Sequence, residues 1–479
     1  MQLFWHRRDL RLHDNVGLAA AAEAADAGEV LPVFVFDDAV LTHGSDRRVA
    51  FLLDALAGLR AAYRERGGDL LVHRGDPSGV LPDVAFDYDV DAVHWNADYS
   101  GLAQDRDEVV ADALSMADVE VHRHHDAVIH EPGAIRTNAG DPYQVYTYFW
   151  KKWRDREKPD PLDPPASGPL ADVAGDDLPA LADLGFEVPD IDLPEAGHDA
   201  AAARLDDFCA ADIYRYVEAR EYPAMDATAR ISQDLSFGTL GPREAYARTT
   251  EAMAGVENED EGEDEDEDED ERESVEEFRR QLAWREFYAQ VLYFNPAVVT
   301  ENYDDYENPI AWRNDGAEIA AWKAGETGYP IVDAGMRQLD EEGYVHNRVR
   351  MIVASFLTKD LFCDWRVGYR HFRERLVDHD TANDTGGWQW AASTGTDAQP
   401  YFRIFNPASQ AEQYDPDAAY VREYVPALDD VPVGKIHDWP DLDADERDDL
   451  APDYPDPIVD HGERREAAID AFEAARSEE

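Results

Sequence analysis

The sequence predicts two fold types in one chain: an α/β part with a doubly wound, parallel five-stranded sheet, followed by an all-α part. Two observations lead to this prediction. Short strand-like runs alternate with helical stretches over the first 130 residues, and helical periodicity dominates from residue 200 onward. We therefore predict an α/β domain at residues 1–130, a connector at 131–199 and a helical domain at 200–479 of the 479-residue chain.

The strands of the predicted sheet are short strand-like runs separated by helical stretches, such as residues 47–64. Alternating strands and helices form parallel sheets with helices on both faces. No GxGxxG motif follows the first run, so an ordinary dinucleotide site is not expected there. The five runs are Gln2–His6, Glu29–Phe36, Asp69–Arg74, Ala92–Asn96 and Val119–His125.

Two later segments interrupt the regular pattern. Residues 127–199 are rich in proline, aspartate and alanine, which indicates a long ordered connector rather than a domain. Within the helical part, 14 of the 17 residues from 257 to 273 are Asp or Glu. Like charges repel one another and resist burial, so we predict that this acidic insert is a solvated, mobile loop without a catalytic role.

The formal net charge of -61 comes from 105 acidic and 44 basic residues, and it argues against a chain built simply to coat nucleic acid. Between residues 310 and 410, however, eleven basic residues nearly balance fourteen acidic ones. One interpretation is that core-rich segments carry fewer surface acids. The other is an acidified surface, as in salt-loving cells, that spares an anion-binding face.

Composition argues against membrane and secreted classes. No apolar run is long enough to span a bilayer, and residues 1–15 are charged and lack the apolar core of a signal peptide. Cys209 and Cys363 are far apart in sequence and form neither a disulfide framework nor a zinc-binding spacing. We therefore expect a cytoplasmic protein with no membrane partner.

The segment 378–407 combines tryptophans, carboxylates and a pair of glycines within thirty residues. Trp388 and Trp390 follow Gly386 and Gly387, and several carboxylates precede them. Glycines permit close approach of backbone or ligand, and indoles stack on flat rings. This segment therefore predicts a site for a large flat aromatic ligand.

Two sets of side chains recur at helical spacing and so face one way. Mixed polar and aromatic side chains on one stripe are typical of a cavity that binds a nucleobase or a flavin. Either set alone is explained better as a core stripe with polar edges. The sets are Gln281, Trp284 and Tyr288, and Asn347, Arg350 and Met351.

Longer motifs resemble those of the photolyase and cryptochrome flavoproteins, over nearly the whole chain. The match is strongest with the class I cyclobutane pyrimidine dimer photolyases, and the acid content suggests a halophile-type member. The acidic insert and parts of the connector fall outside the resemblance. The motifs are FWHRRDLRLHDN (4–15), WREFY (284–288), TGYPIVD (327–333), MRQL (336–339), HNR (346–348) and DYPDPIVDH (453–461).

The resemblance implies that the helical domain binds FAD. Residues 228–232 match the turn that cradles the pyrophosphate, Asp378 is expected to pair with Arg350, and Arg350 to lie near the isoalloxazine ring. An arginine there favours an anionic reduced flavin. The implied FAD-binding residues are Tyr216, Thr228, Ala229, Arg230, Ile231, Ser232, Arg350, Asp378, His379, Asp380 and Asp384.

Trp388, Trp365 and Trp312 match the three-tryptophan chain of the family. The resemblance implies that they carry an electron from the protein surface to the photoexcited flavin. Any one of these indoles alone would be explained better as a core residue, and only the joint match favours electron transfer.

The resemblance also implies a substrate, UV-damaged DNA, whose pyrimidine dimer is flipped out of the duplex. Light drives an electron from reduced FAD into the dimer, which then splits. Trp284 and Trp390 would sandwich the dimer, Asn347 would bond its edge, and Arg220 and Arg348 would hold flanking phosphates. We expect a monomer, with DNA- and lesion-binding residues Arg220, Gln281, Trp284, Arg285, Tyr288, Asn347, Arg348, Met351 and Trp390.

Two positions depart from the usual dimer-repair pattern. Asp384 stands where such photolyases carry an asparagine facing flavin N5 and many plant cryptochromes carry an aspartate. Gln281 stands where a glutamate is more common, and an amide can bond thymine carbonyls but cannot share a proton. The HNR triplet at 346–348 still favours dimer repair over the (6-4) branch.

The N-terminal domain is expected to hold a second, light-gathering chromophore. Folate-binding relatives use a lysine of the helical domain, but no lysine lies between Gln281 and Ala321, so a deazaflavin is favoured over a folate. Arg48 and Asp98 resemble deazaflavin contacts, although both could equally be surface charges. The three histidines at 122, 124 and 125 are explained better as a solvated strand edge than as a metal site, and we predict no metal.

Three functions stay open at this stage: a repair enzyme, a cryptochrome-type blue-light receptor, and a flavoprotein that only shuttles electrons. Beyond Gln410 the chain lacks the long disordered tail of many signalling cryptochromes, which disfavours the receptor. A shuttle would not need the lesion pocket. The repair enzyme, a deoxyribodipyrimidine photolyase, is the leading hypothesis.

Overall fold

The computed structural model describes residues 1–25, 29–165, 170–259 and 265–476. The chain divides into two compact units. The first comprises Met1–Tyr216 and Ala229–Ala297, and the second comprises Val217–Thr228 and Val298–Glu479. These units do not coincide with the boundaries drawn from sequence patterns at residues 130 and 199, and those boundaries stay a prediction.

The first unit contains the predicted five-stranded parallel sheet. Its strands are ordered β3-β2-β1-β4-β5, and every neighbouring pair is parallel. This order reverses direction at β1, as in doubly wound folds, so the predicted fold class is confirmed. The strands are β1 Gln2–His6, β2 Val30–Phe36, β3 Leu71–Arg74, β4 Ala92–Asn96 and β5 Glu120–His124.

Helices cover both faces of this sheet because alternate strand residues point to opposite sides. Phe4 packs in a core with residues of helices α1 and α3, while Leu3 and Trp5 pack in a second core with residues of α4 and α5. The helices of this region are α1 Val16–Ala24, α2 Asp38–Leu41, α3 Asp46–Glu65, α4 Pro77–Asp87 and α5 Gly101–Met116.

The predicted connector contains a helix that its composition did not predict. Helix α6 (Tyr146–Asp155) buries Tyr146, Phe149, Trp150 and Trp153 along one face. The helices that follow α6 along the chain are α7 Leu181–Leu184, α8 His198–Ala210, α9 Tyr216–Ala219, which extends into the second unit, α10 Ser232–Phe237, α11 Pro242–Glu259 and α12 Glu265–Phe294. The aromatic face of α6 shares one core with residues of α8 to α12, whereas Leu184 of α7 packs in the core that contains Phe4.

The prediction of a loop at residues 257–273 was wrong for the part that the structure describes. Residues 257–259 end α11 and residues 265–273 begin α12, whereas residues 260–264 lie outside the described residues. Glutamate is a good helix former. Farther along α12, Val275 and Phe278 anchor the helix in the core.

The second unit is helical and surrounds one large apolar core that includes Trp322, Trp365, Trp388 and Trp439. Among the described residues, none of the helices is sufficiently long and apolar to span a membrane. A π-helical segment, Phe356–Asp360, follows α15. The helices are α13 Gly316–Ala324, α14 Pro330–Glu342, α15 Asn347–Ser355, α16 Trp365–Arg375, α17 Thr381–Ala392, α18 Pro407–Tyr414, α19 Ala419–Tyr424, α20 Val433–His437, α21 Ala444–Leu450 and α22 His461–Arg476.

A stack of histidine rings joins the last two strands of the sheet. The buried His94 ring on β4 lies 4.6 Å from the His122 ring and 5.5 Å from the His124 ring on β5. His94 Nδ1 lies 3.2 Å from His124 Nε2, and its Nε2 lies 2.9 Å from Gln2 Oε1. Burial and the two neighbouring imidazoles lower the pKa of His94 to about 4.

This stack predicts a loss of stability in acid. In the unfolded chain His94 takes up a proton near its ordinary pKa of 6.5, but in the folded chain only near 4. Stability is therefore complete above pH 6.5 and falls as the pH drops toward 4, by about 3 kcal/mol in full. His94→Asn should flatten the pH dependence of urea unfolding between pH 8 and pH 5. Parallel curves for the two proteins would refute this assignment.

Candidate functional site

Arg350 and Asp378 form an ion pair in the second unit, in which Asp378 is buried and Arg350 is partly buried. Arg350 Nη2 donates to Asp378 Oδ2 over 2.7 Å, and its Nε donates to the Val345 carbonyl over 2.7 Å. Arg350 Nη1 also lies 3.8 Å from Asp384 Oδ1. Burial disfavours the charged guanidinium, but the two carboxylates outweigh this effect and raise the pKa of Arg350. A fixed positive charge therefore lies beside the first turn of α17.

Asp378 has one carboxylate oxygen that no described residue satisfies. Its side chain is 4% exposed, and its Oδ1 is buried without a hydrogen-bond donor in the described part of the chain. A buried carboxylate oxygen is costly unless a donor reaches it. The position therefore fits a ligand that brings its own donor, as the hydroxyls and ring N–H of FAD do.

The other acidic residues of this segment are held by near neighbours. Asp380 is the N-cap of α17, where its Oδ1 accepts from the Asn383 backbone N–H at 3.0 Å and from Asn383 Nδ2 at 2.9 Å. Asp384 lies in the first turn of the same helix, and its Oδ2 is 2.5 Å from His379 Nδ1. Asp384 thus links His379 to Arg350.

The turn at residues 228–232 has an uncommon backbone conformation. Arg230 has a φ of +46°, in the left-handed region, which costs a residue with a side chain about 1–2 kcal/mol. Its carbonyl accepts a hydrogen bond from Gln233 Nε2 at 2.7 Å. Ala229 and Ile231 are buried, while the hydroxyl-bearing residues at either end are accessible. Backbone strain of this kind is concentrated at ligand sites.

The residues predicted to bind FAD are divided between the two units. Tyr216 and Ala229–Ser232 belong to the first unit, and Thr228, Arg350 and residues 378–384 belong to the second. The Tyr216 ring is buried and meets the rings of its neighbours edge-on. These are Phe208 at 5.7 Å and Phe278 at 5.4 Å.

The three tryptophans of the predicted electron chain all lie in the second unit. Trp388 and Trp365 are buried, while Trp312 is partly exposed. Gly368, one turn after Trp365 on α16, lies against the Trp388 indole, because a Cβ at residue 368 would fall 2.1 Å from Trp388 Cη2. The Trp388 ring therefore packs on the first turn of the helix that carries Trp365.

The Trp365 indole makes a hydrogen bond of its own, and the backbone next to Trp312 makes another. Trp365 Nε1 donates to Asn302 Oδ1 at 3.0 Å. The backbone N–H of Arg313 donates to the Phe362 carbonyl at 2.8 Å, and the Trp312 ring lies 5.0 Å from the Phe362 ring. The gradient from buried Trp388 to partly exposed Trp312 suits a path that begins at the surface.

In the first unit, Trp284 is pre-stacked on Tyr146. The ring centroids are 3.6 Å apart and the planes differ by 10°. The Tyr288 ring lies 5.4 Å from Trp284, and Gln281 Nε2 donates to Glu277 Oε1 at 2.8 Å. One face of the indole is therefore covered by protein, and its partly exposed remainder is available for a ligand.

Arg285 has a different environment from the other predicted lesion residues. Its Nη1 donates to the Ala127 carbonyl at 2.5 Å and its Nη2 donates to the Leu235 carbonyl at 2.9 Å. These bonds tie α12 to two other segments of the first unit. The geometry favours a role in positioning α12 over direct contact with the lesion.

The second unit carries the remaining predicted lesion residues. Asn347 and Met351 lie on one face of α15, with Asn347 Nδ2 3.9 Å from Met351 Sδ. Asn347 is exposed, and Met351 and Trp390 are partly exposed. Arg348 pairs with Glu221, and Arg220 Nε lies 3.4 Å from the other oxygen of Glu221.

The predicted antenna residues are held by their own unit. Arg48 is buried in the first turn of α3, and its Nη2 donates to the His43 carbonyl at 2.6 Å. Asp98 follows β4 and lies 3.5 Å from Arg8 Nη1. Burial would raise the pKa of Asp98, but nearby arginines, Arg8 foremost, outweigh it and lower the pKa. Asp98 is therefore a stable anion at the carboxyl end of the sheet.

Sequence reasoning missed three residues that shape the site: Gly368, Tyr146 and Glu221. Gly368 interrupts an otherwise bulky helix one turn after Trp365, which was an available signal. Tyr146 begins an aromatic set at helical spacing inside the proline-rich segment. Glu221 directly follows Arg220, but nothing in the sequence connects it with Arg348.

Two protein-family models match the chain: residues 2–167 match one described as DNA photolyase, and residues 278–474 match one described as the FAD binding domain of DNA photolyase. A deoxyribodipyrimidine photo-lyase of Halobacterium salinarum is 59% identical over 100% of both chains. Two solved structures are also similar. A bacterial class III photolyase from Agrobacterium tumefaciens has a TM-score of 0.88 and 35% identity, covering 99% of this chain and 97% of that one. An archaeal photolyase from Sulfolobus tokodaii with two FAD molecules has a TM-score of 0.81 and 33% identity, covering 99% of each chain.

A parallel α/β sheet, a helical FAD-binding region and the Arg350–Asp378 pair define an FAD-binding flavoprotein. The matches cover most of the chain, and the identity with the halobacterial relative extends over its full length. The chain belongs to the DNA photolyase family.

Proposed function

We propose that this chain is a deoxyribodipyrimidine photolyase, a DNA-repair enzyme that uses light to split cyclobutane pyrimidine dimers. The observation that carries the proposal is the arrangement of α15. Arg350 on this helix pairs with Asp378 at the flavin-binding segment, and Asn347 and Met351 lie within one turn of it. One helix thus presents an anchor for the cofactor and an accessible amide for a base.

FAD, when bound, supplies the electron that splits the dimer. The chain supplies the groups that bind and orient it. Asp378 Oδ1 is available to accept a hydrogen bond from FAD, and Arg350 places a fixed positive charge nearby. The turn at residues 228–232 would hold the pyrophosphate with its hydroxyls and backbone amides. Trp312, Trp365 and Trp388 would return the cofactor to its reduced form.

The dimer would be held by stacking and by amides. In the first unit, Trp284 would offer an aromatic face and Gln281 an amide for a base edge. In the second unit, Trp390 would offer an aromatic face and Asn347 an amide. Met351 would fill the remaining space with an adaptable thioether. A damaged pair is poorly stacked in the duplex, so flipping it out costs less than flipping an intact pair, which favours the lesion.

The second chromophore is proposed to be a deazaflavin at the carboxyl end of the sheet, near Arg48 and Asp98. The Sulfolobus tokodaii relative holds two FAD molecules, so a second flavin is the alternative. Denaturing the purified protein and weighing the released chromophores by mass spectrometry separates the two.

The test is loss of dimers from DNA in blue light. We expect the purified protein, in the salt it needs, to convert an oligonucleotide with one thymine dimer to intact thymines only when illuminated. Asn347→Ala should weaken dimer binding about tenfold, because one hydrogen bond to the base is lost, while FAD content stays constant. Asn138→Ala, at an exposed turn, serves as the matched control. Absence of light-dependent dimer loss would overturn the enzyme and favour a cryptochrome-type receptor.

A further inference from the structure

Glu221 connects the two arginines that are proposed to hold DNA phosphates. Its Oε1 lies 3.4 Å from Arg220 Nε, and its Oε2 forms an ion pair with Arg348 Nη2. The Arg348 guanidinium also lies over the Tyr414 ring, 4.1 Å from its centroid. All three charged side chains are partly buried, with 16–27% exposed. The carboxylate therefore restrains both guanidinium groups in the protein without DNA.

The Glu221 carboxylate also halves the positive charge that Arg220 and Arg348 present to DNA. Two guanidinium ions and one carboxylate sum to a single positive charge. Attraction between basic side chains and phosphates is independent of sequence and dominates non-specific binding. Phosphate contacts also set the position of a protein on DNA, and fixed side chains do this with less loss of entropy. Glu221 thus lowers general attraction to DNA and keeps the two arginines oriented.

We propose that Glu221 is a specificity-determining residue that favours lesion-containing DNA over undamaged DNA. This inference rests on the proposed function, in which Arg220 and Arg348 contact the phosphates beside the dimer. On undamaged DNA, the lost charge weakens binding. On dimer-containing DNA, the preset orientation of the arginines offsets that loss, because the flipped lesion fixes which phosphates they meet.

The test measures the binding of the wild type and of Glu221→Gln to undamaged and to dimer-containing duplexes in the dark, at several KCl concentrations. Only KCl concentrations at which the variant has the FAD content and thermal stability of the wild type are used. For undamaged DNA, the slope of log K against log[KCl] should steepen by about 0.9, as expected for one more uncompensated positive charge. Affinity for undamaged DNA should rise about tenfold at the lowest salt, whereas affinity for dimer DNA changes little. The preference for dimer DNA should fall accordingly.

Glu218→Gln is the matched control, since it removes one negative charge from an exposed residue in the same segment that has no ion-pair partner among the described residues. Glu221→Asp keeps the negative charge, so its slope of log K against log[KCl] should equal that of the wild type. The proposal is overturned if Glu221→Gln and Glu218→Gln give the same slope, or if Glu221→Gln strengthens binding to both duplexes equally. Light-dependent dimer loss by the wild type, measured in parallel, tests the proposed function separately.

Discussion

Replacing Arg350 with methionine is expected to cost about 3–5 kcal/mol of unfolding free energy. The substitution would leave the Asp378 carboxylate, 4% exposed, without its 2.7 Å partner. An uncompensated buried charge is among the costliest defects that a single substitution can create. Urea unfolding of the purified protein measures the loss. The purified variant should also contain much less FAD, which its absorption spectrum reports.

The surface pair Arg375–Asp340 provides a matched control for this prediction. Its N–O distance is 3.0 Å, but the side chains are 45% and 62% exposed. Exposed ion pairs contribute about 0–1 kcal/mol, so Arg375→Met should change stability little and leave FAD content intact. Adding Asp378→Asn to Arg350→Met should recover part of the loss. Equal losses for Arg350→Met and Arg375→Met would refute the assigned role of burial.

The inner strands of the sheet were predictable because β2 and β4 are buried along their whole length, and buried parallel strands are nearly continuous apolar runs. All five strands were predicted to within two residues at each end, and β1 and β4 match at both ends. The predicted third run begins two residues before β3 because Asp69 does not join the ladder. Its carboxylate instead accepts hydrogen bonds from Arg60 Nε at 2.8 Å and Arg64 Nη2 at 3.0 Å.

The two local errors have a common cause. Composition alone suggested a loop at residues 257–273 and an ordered connector, without a predicted helix, around α6. Yet glutamate runs form helices when a buried stripe follows, as at Val275 and Phe278. Likewise, helix α6 is stabilised by the aromatic face that it buries, which outweighs the proline-rich composition around it. In both cases tertiary packing decided the structure.

The residue types of the site were predictable from the resemblance, but their partners were not. Glu221 and Arg348 are 127 positions apart and meet only in the fold. The same holds for Tyr146 and Trp284. Such pairs depend on how distant segments pack, and a single sequence without tertiary structure does not encode them in any local pattern.

Gly368→Ala is expected to destabilise the protein by about 2 kcal/mol and to impair photoreduction of the bound FAD. In a helix interior this substitution normally stabilises by about 0.5–1 kcal/mol, so the expected sign is reversed. The reason is that the new Cβ would lie 2.1 Å from Trp388 Cη2 and 2.7 Å from Leu357 Cδ2. Trp388 must then shift away from α16, the helix that begins at Trp365.

Gly387→Ala separates this effect from helix propensity. Gly387 lies in the interior of α17 beside Trp388, and a Cβ there meets no heavy atom within 4 Å. This variant should be as stable as the wild type or slightly more stable, with unchanged photoreduction in light. If Gly368→Ala also kept wild-type stability and photoreduction, the close packing of the Trp388 ring against residue 368 would have no effect on either. The proposed position of Trp388 in the electron path beside Trp365 would then lose its structural basis.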